Sequence, residues 1–346
     1  MSISIHEFLS LRNELPVVDV RSEGEYEKGN IPGAINIPLL KNAERVEVGT
    51  DYVQKGRIEA IMTGFRLVGP RLHDIISETE KITSGKELIV HCWRGGMRSS
   101  NFCGFVGMAR IKTHQLKGGY KSYRQAVLES FKKPFQFTVI GGCTGSGKSE
   151  ILRALAQRGE QIIDLETLAG HKGSSFGGLK LPPQPTTEQF QNNLFEKILK
   201  LDVNKRIWIE DESISIGKIF LPNDFWKTMG ASPALTVEVS KPIRVSRLVN
   251  EYGDADKEEF LKAMERITKR LGPEQFKAAK ASLLQGDMFA TIETLLTYYD
   301  KSYLRLLEKV KGRIIATVCW DGENVNAFVK DLANNIEPQR HIGHNI

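Results

Sequence analysis

The stretch FTVIGGCTGSGKSEILRALAQR, residues 137–158, decides the fold of the larger half of this chain. A β-branched and aromatic run from Phe137 to Ile140 ends in glycines, and a helix is predicted from Lys148 to about Arg158. Between them Gly142, Cys143, Thr144, Gly145, Ser146, Gly147, Lys148 and Ser149 form a complete G-x-x-x-x-G-K-S. Glycines at these positions let backbone N–H groups wrap a diphosphate, Lys148 adds a point charge, and the Ser149 hydroxyl can ligate Mg²⁺. Cys143 reads as a spacer. Such a loop holds a diphosphate without specifying what is attached, so a nucleotide and a prenyl diphosphate both remain open.

Downstream, QIIDL reads as a strand up to Leu165, a Gly/Ser/Pro-rich loop follows through Pro185, and RIWIE is a strand up to Glu210. Strands alternating with helices predict a parallel α/β sheet. An acid ending a nearby strand should complete the phosphate loop, and Asp211 in RIWIEDES is the candidate metal or base residue, with Asp164 the second. Either could instead cap a helix. From about Lys257 the pattern reads helical, and the final EPQRHIGHNI, with an incidental His341-x-x-His344, reads as a tail.

Upstream, ESFKKPFQ (129–136) mixes charges with Pro134 and sets the predicted boundary between domains 1–132 and 133–346. LPVVDVRSEGEYEKGNIPGAINIPLL (15–40) reads as strand, polar helix turn and short strand. ELIVHC (87–92) is a buried strand that delivers Cys92 into WRGGMRSS and a following helix. Loop N–H groups at a helix N-terminus, with Arg94 and Arg98, would cradle an anion above Cys92 and favour its thiolate, a nucleophile at neutral pH. Cys103 reads as core filling and His91 as a packed strand residue.

The composition suits this reading. The 346 residues are 40% hydrophobic and 26% charged, which describes an ordinary soluble α/β protein and argues against disorder or a fibrous repeat. No run approaches the ~18 apolar residues of a membrane span, and MSISIHEFLSLRNELP lacks the flank of a signal peptide, so a cytoplasmic protein without membrane contact is expected. Cys92, Cys103, Cys143 and Cys319 form no C-x-x-C pair, which speaks against a disulfide framework or zinc ribbon. A net charge of +6 permits a polyanionic partner.

The strings VVDVRSEGEYEKGNIPGAINIP, the Cys92 loop and LKGGYKSYR (116–124) together resemble a rhodanese domain, in which a loop cysteine carries sulfur. Five residues separate Cys92 from Arg98, one more than in the common C-x-x-G-x-R loop. This wider C-x5-R cradle also matches rhodanese-related phosphatases. A rhodanese half joined to a phosphate-loop half, with KNAERVEVGTDYVQKGRIEAI, GFRLVGP, VIGGCTGSGKSE, DLETLAGHKGSSFGG and WIEDESISIG in order, resembles the tRNA 2-selenouridine synthases.

That resemblance implies conversion of wobble 2-thiouridine to 2-selenouridine in the anticodon loops of lysine, glutamate and glutamine tRNAs. It implies selenophosphate as donor, an S-geranyl-2-thiouridine intermediate made from geranyl diphosphate, and a selenophosphate-producing enzyme as partner. No tightly bound cofactor is expected beyond Mg²⁺. It casts Cys92 as selenium carrier, attacking selenophosphate or holding an S-selanyl group, with Arg94 and Arg98 on the phosphate portion. Residues 142–149 would hold the geranyl diphosphate. An ATP-dependent rhodanese-type sulfurtransferase and a C-x5-R phosphatase are the alternatives. The basic strings KPIRVSRL, with Lys241, Arg244 and Arg247, and ERITKRL, with Arg266, Lys269 and Arg270, are candidates for holding RNA phosphates.

Overall fold

The computed structural model describes residues 1–83 and 87–335; the His341 and His344 pair lies outside them. The chain divides into one unit of Met1–Phe131 with Gln191–Glu196, and a second of Lys132–Phe190 with the chain from Lys197 onward. The six residues 191–196 come from the middle of the helix Thr187–Ile198, a long-range placement that no local signal carries.

In the first unit β1 (Ser2–Ile3), β2 (Val17–Asp19), β3 (Ile35–Asn36), β4 (Leu88–His91) and β5 (Thr113–Leu116) form a parallel sheet in the order β1-β5-β4-β2-β3. Of the three inner strands, β2 and β4 are buried along their whole length, which is why VVD and LIVH read as unbroken runs with no alternation. Val18, Val90, Phe102 and Val106 lie in the core between sheet and helices. The carboxyl ends of β2 and β4 lie side by side, with Asp19 paired in register to His91, and Cys92 follows directly. Loops at the carboxyl ends of parallel strands are where such sheets open to ligands.

The second unit is built on β6 (Gln136–Gly141), β7 (Gln161–Ile163), β8 (Arg206–Glu210), the antiparallel pair β9 (Ser215–Ile216) and β10 (Ile219–Phe220), β11 (Ala234–Glu238) and β12 (Ile314–Cys319). Its main sheet is parallel, in the order β12-β11-β6-β8-β7, so the strand feeding the phosphate loop is central. Two corrections to the sequence reading appear here. The C-terminal third is not all helix, because after the long helix Met288–Val310 the chain returns as β12 to pair with β11. β7 stops at Ile163, and Asp164 caps the helix Leu165–Ala169 by accepting the Thr167 N–H at 2.8 Å. No helix among the described residues is long and apolar enough to cross a membrane.

Candidate functional site

Cys92 is the first residue past β4, and its side chain is buried. The chain turns through Trp93–Gly96 into the helix Met97–Met108, so backbone N–H groups face the sulfur. A second segment closes this loop. Tyr120 N–H donates to Cys92 O at 2.8 Å and Lys121 N–H to Trp93 O at 2.9 Å. The approach is close enough to demand glycine at 119. Its φ is +58°, and a Cβ there would stand 2.6 Å from Gly95 N and 3.0 Å from Arg94 N. Gln115 Nε2 ties the loop from below, donating to Gly95 O at 3.0 Å and to Ser99 Oγ at 2.7 Å.

Burial by itself would push the Cys92 thiol up. Hydrogen bonds from the Ser99 hydroxyl, 3.2 Å away, and from the N–H groups of Ser99, Arg94 and Gly96 outweigh it and bring the thiol below its ordinary value. Of the two arginines, Arg94 is exposed, whereas Arg98 forks onto Glu25 at 2.6 and 3.2 Å. An anion above Cys92 would therefore meet Arg94 directly and share Arg98 with Glu25. Arg98 is half neutralised by a carboxylate that also pairs with Arg45, because two nearby guanidiniums and Ser22 gather around Glu25.

Under the loop, Arg21 is buried with Asp19 at 2.6 Å, bonds Gly29 O at 2.8 Å, and stacks over Tyr120 at 3.8 Å from the ring centre. His91 is fully buried with both ring nitrogens lacking a hydrogen-bond partner. Burial holds it neutral against the pull of Asp19, in keeping with a packed role. Cys103 packs beside the same core, its thiol pushed up by burial.

In the second unit the loop Gly142–Gly147 joins β6 to the helix Lys148–Gln157. Gly147 has φ +77°, and a Cβ would meet the Trp320 ring at 2.7 Å and Arg247 Nη2 at 2.6 Å. Lys148 Nζ donates to Gly142 O at 3.2 Å, folded back over the loop. Ser149 Oγ donates at 2.6 Å to Glu166, and Glu166 N–H in turn donates to buried Glu210 at 2.8 Å. Burial pushes Glu166 up against the pull of Lys148, pushes Glu210 well up, and pushes Glu212 up to about 7 despite Lys148. Asp211 follows β8 as expected, but its carboxylate is engaged by Arg313 at 2.7 Å.

A cavity of about 730 Å³ opens over this loop. Lys148, Ser149, Glu166 and Glu212 line it together with Leu248, Tyr252 and Tyr299. These three also border a narrow apolar slot formed by Phe176, Phe260 and Leu296. The acid bonded to the phosphate-loop serine is therefore Glu166, which the sequence reading passed over in favour of Asp211 and Asp164. Its only sequence signal is a position two residues past a strand-end acid. Two arginines from the basic string 241–248 also belong here and are not a free RNA-binding face. Arg244 is buried, forking Asp300 at 2.8 and 2.9 Å and bonding Thr144 O at 3.2 Å. Arg247 pairs with Glu150, bonds Gly322 O at 3.2 Å and stacks on Trp320. Cys143 sits partly buried in the loop, its thiol pushed up by burial.

Two family models match the two units. Residues 4–126 match the rhodanese-like domain, and residues 135–335 match the tRNA 2-selenouridine synthase AAA domain. The tRNA 2-selenouridine synthase of Sulfurovum sp. (strain NBC37-1) is 32% identical, over 92% of this chain and 95% of its own. That of Shewanella sediminis (strain HAW-EB3) is 35% identical, over 87% and 90%. That of Shewanella oneidensis is 32% identical, over 95% of both. A thiolate cradle on one parallel sheet, a phosphate loop on another, a matching family model over residues 135–335 and relatives that match along 90% or more of their own lengths lead to one assignment: the chain belongs to the tRNA 2-selenouridine synthase family.

Proposed function

We propose that this chain converts wobble 2-thiouridine in lysine, glutamate and glutamine tRNAs to 2-selenouridine in the cytoplasm, using selenophosphate, by way of an S-geranyl intermediate made from geranyl diphosphate. The observation that carries the two-step reading is the cavity over the phosphate loop. Its lining joins the loop glycines and Lys148, which suit a diphosphate, with Leu248, Tyr252 and Tyr299, which suit an apolar chain, and these three continue into the apolar slot of Phe176, Phe260 and Leu296. In the first step the thiouridine sulfur attacks the allylic carbon, the C–O bond breaks, and diphosphate departs into the loop, where Lys148 stabilises the growing charge. Mg²⁺ suits the hard oxygens of Ser149 and Glu166 and would neutralise diphosphate charge when bound. Asp211, already paired with Arg313, is the less available carboxylate.

In the second step the Cys92 thiolate attacks phosphorus of selenophosphate. An S–P bond forms, the P–Se bond breaks, hydrogen selenide leaves, and water later returns the phosphocysteine to thiol and phosphate. The loop N–H groups and Arg94 hold the phosphoryl oxygens. Hydrogen selenide adds at C2 of the alkylated base, the C2–S bond breaks, and the prenyl thiolate leaves and takes a proton from water. Alkylation comes first because an unalkylated C2 sulfur leaves poorly. The test supplies thiouridine tRNA with geranyl diphosphate and selenophosphate and follows the digested nucleosides by mass spectrometry. Lys148→Ala should lose geranylation yet still selenate pre-geranylated tRNA, and Cys92→Ser should do the reverse. A Lys148→Ala protein with full geranylation at subsaturating geranyl diphosphate would remove the phosphate loop from the reaction.

A further inference from the structure

The first unit carries apolar surface that its fold does not use. The helices Asn42–Gln54 and Arg57–Val68 form a hairpin, and their outer faces leave Val53 83%, Ile58 75%, Met62 58%, Tyr52 55% and Phe65 52% exposed. Ile58, Met62 and Phe65 stand at i, i+4 and i+7, one continuous stripe of the second helix. A helix of a finished domain normally buries such a stripe, and a contiguous exposed patch marks a binding surface.

The patch ends beside the helix that follows the Cys92 loop. Tyr52 and Phe65 wall an apolar cavity of about 110 Å³ together with Leu40, Met97, Arg98 and Phe105. Tyr52, Leu40 and Arg98 also border an open cleft of about 650 Å³ beside it. Met97 is the first residue of the helix that cradles Cys92, and Arg98 lies within electrostatic reach of the Cys92 sulfur. Leu40 and Phe105 belong to the same packed cluster as Cys92 itself. Among the described residues, Arg98 is the one charged side chain lining the inner cavity and it is held by Glu25, so the walls suit an apolar guest.

We propose that this wall binds the prenyl chain of the S-alkylated uridine during selenium transfer, so that the thiol unit selects alkylated over free thiouridine. The inference rests on the two-step reading above and assigns to its second step a recognition element of its own. When C2 of the base faces the selenium released at Cys92, the sulfur substituent must lie beside the loop. The chain then leaves as prenyl thiol, with the C2–S bond broken and a C2–Se bond formed. Holding the chain positions the leaving group, and it keeps selenium from being spent on a base whose sulfur cannot depart.

The test compares anticodon stem-loop RNA bearing S-geranyl-, S-methyl- or free 2-thiouridine, with selenophosphate supplied, for the full chain and for Tyr52→Ser/Phe65→Ser. Both positions are more than half exposed, and circular dichroism with the conservative Tyr52→Phe/Phe65→Leu variant checks folding. The wild-type chain should prefer the geranylated RNA at least tenfold in kcat/KM. The serine variant should lose most of that preference through a raised KM for the geranylated RNA, with the methylated RNA unchanged and the conservative variant close to wild type. Equal slowing of both RNAs, or no preference in the wild type, overturns the prenyl wall and leaves the two-step reading standing. A wild-type chain that selenates free thiouridine but not the geranylated RNA overturns both.

Discussion

Removing one hydroxyl should measure how the Cys92 thiolate is stabilised. Ser99 Oγ lies 3.2 Å from the sulfur, accepts a hydrogen bond from Gln115 Nε2 at 2.7 Å and lies 3.1 Å from Gly96 O, so its single proton is shared between that carbonyl and the thiolate. A hydrogen bond to a charged group contributes roughly 1.5–3 kcal/mol. Three backbone N–H groups remain in Ser99→Ala and water can take part of the vacated place, so the low end applies. About 1.4 kcal/mol is a tenfold change in thiolate fraction at a pH below the thiol's midpoint. The sign follows from the cradle: fewer donors to the thiolate raise the midpoint, so less thiolate is present at neutral pH. Iodoacetamide alkylation of Cys92 followed against pH should show its midpoint moved upward and its rate at pH 7 reduced about tenfold. Cys103, with its thiol already pushed up by burial, serves as the internal reference. An unmoved or lowered midpoint in a folded Ser99→Ala protein would refute the cradle as the cause of the activation.

His91 should make the first unit sensitive to acid. Burial holds its folded value below the unfolded one, so the stability it contributes is present above about pH 6.5 and is lost as pH falls, by about 1.4 kcal/mol per pH unit until the folded value is reached. Urea melts at pH 7.5 and 5.5 should show this loss for the wild type and a smaller one for His91→Gln; equal slopes would contradict it. Asp211→Ala should cost the second unit about 1–2 kcal/mol by leaving half-buried Arg313 with only the Met229 carbonyl, and Asp211→Ala/Arg313→Met should recover most of it. A single variant as stable as wild type would return Asp211 to the pool of free carboxylates.

What could be read from the chain was local. Cys92 at the end of ELIVHC and the eight residues Gly142–Ser149 announce themselves because their chemistry depends on near neighbours: a strand end, a glycine turn and a helix start. The surroundings that tune them come from far away in sequence. Glu25 takes Arg98 across 73 positions, and Trp320 covers Gly147 from the far end of the unit. β12 escaped notice because IIATVC gains its identity from pairing with β11, after a 23-residue helix whose pattern dominates that region. Asp211 looked available because a strand-end acid carries no mark of the arginine that claims it.

The lid of Trp320 and Arg247 over Gly147 also sets an order of assembly. The thiol-bearing unit draws nearly all its contacts from the first 131 residues, whereas the phosphate loop is not enclosed until β12 and the segment after it have left the ribosome. At 5–20 residues per second this interval is on the order of tens of seconds. For that time the nascent chain carries a reactive cysteine in a largely completed sheet, while its phosphate loop lacks the wall that shapes it. A fragment ending before Trp320 would inherit the same imbalance, with a formed Cys92 loop and a phosphate loop open on one side.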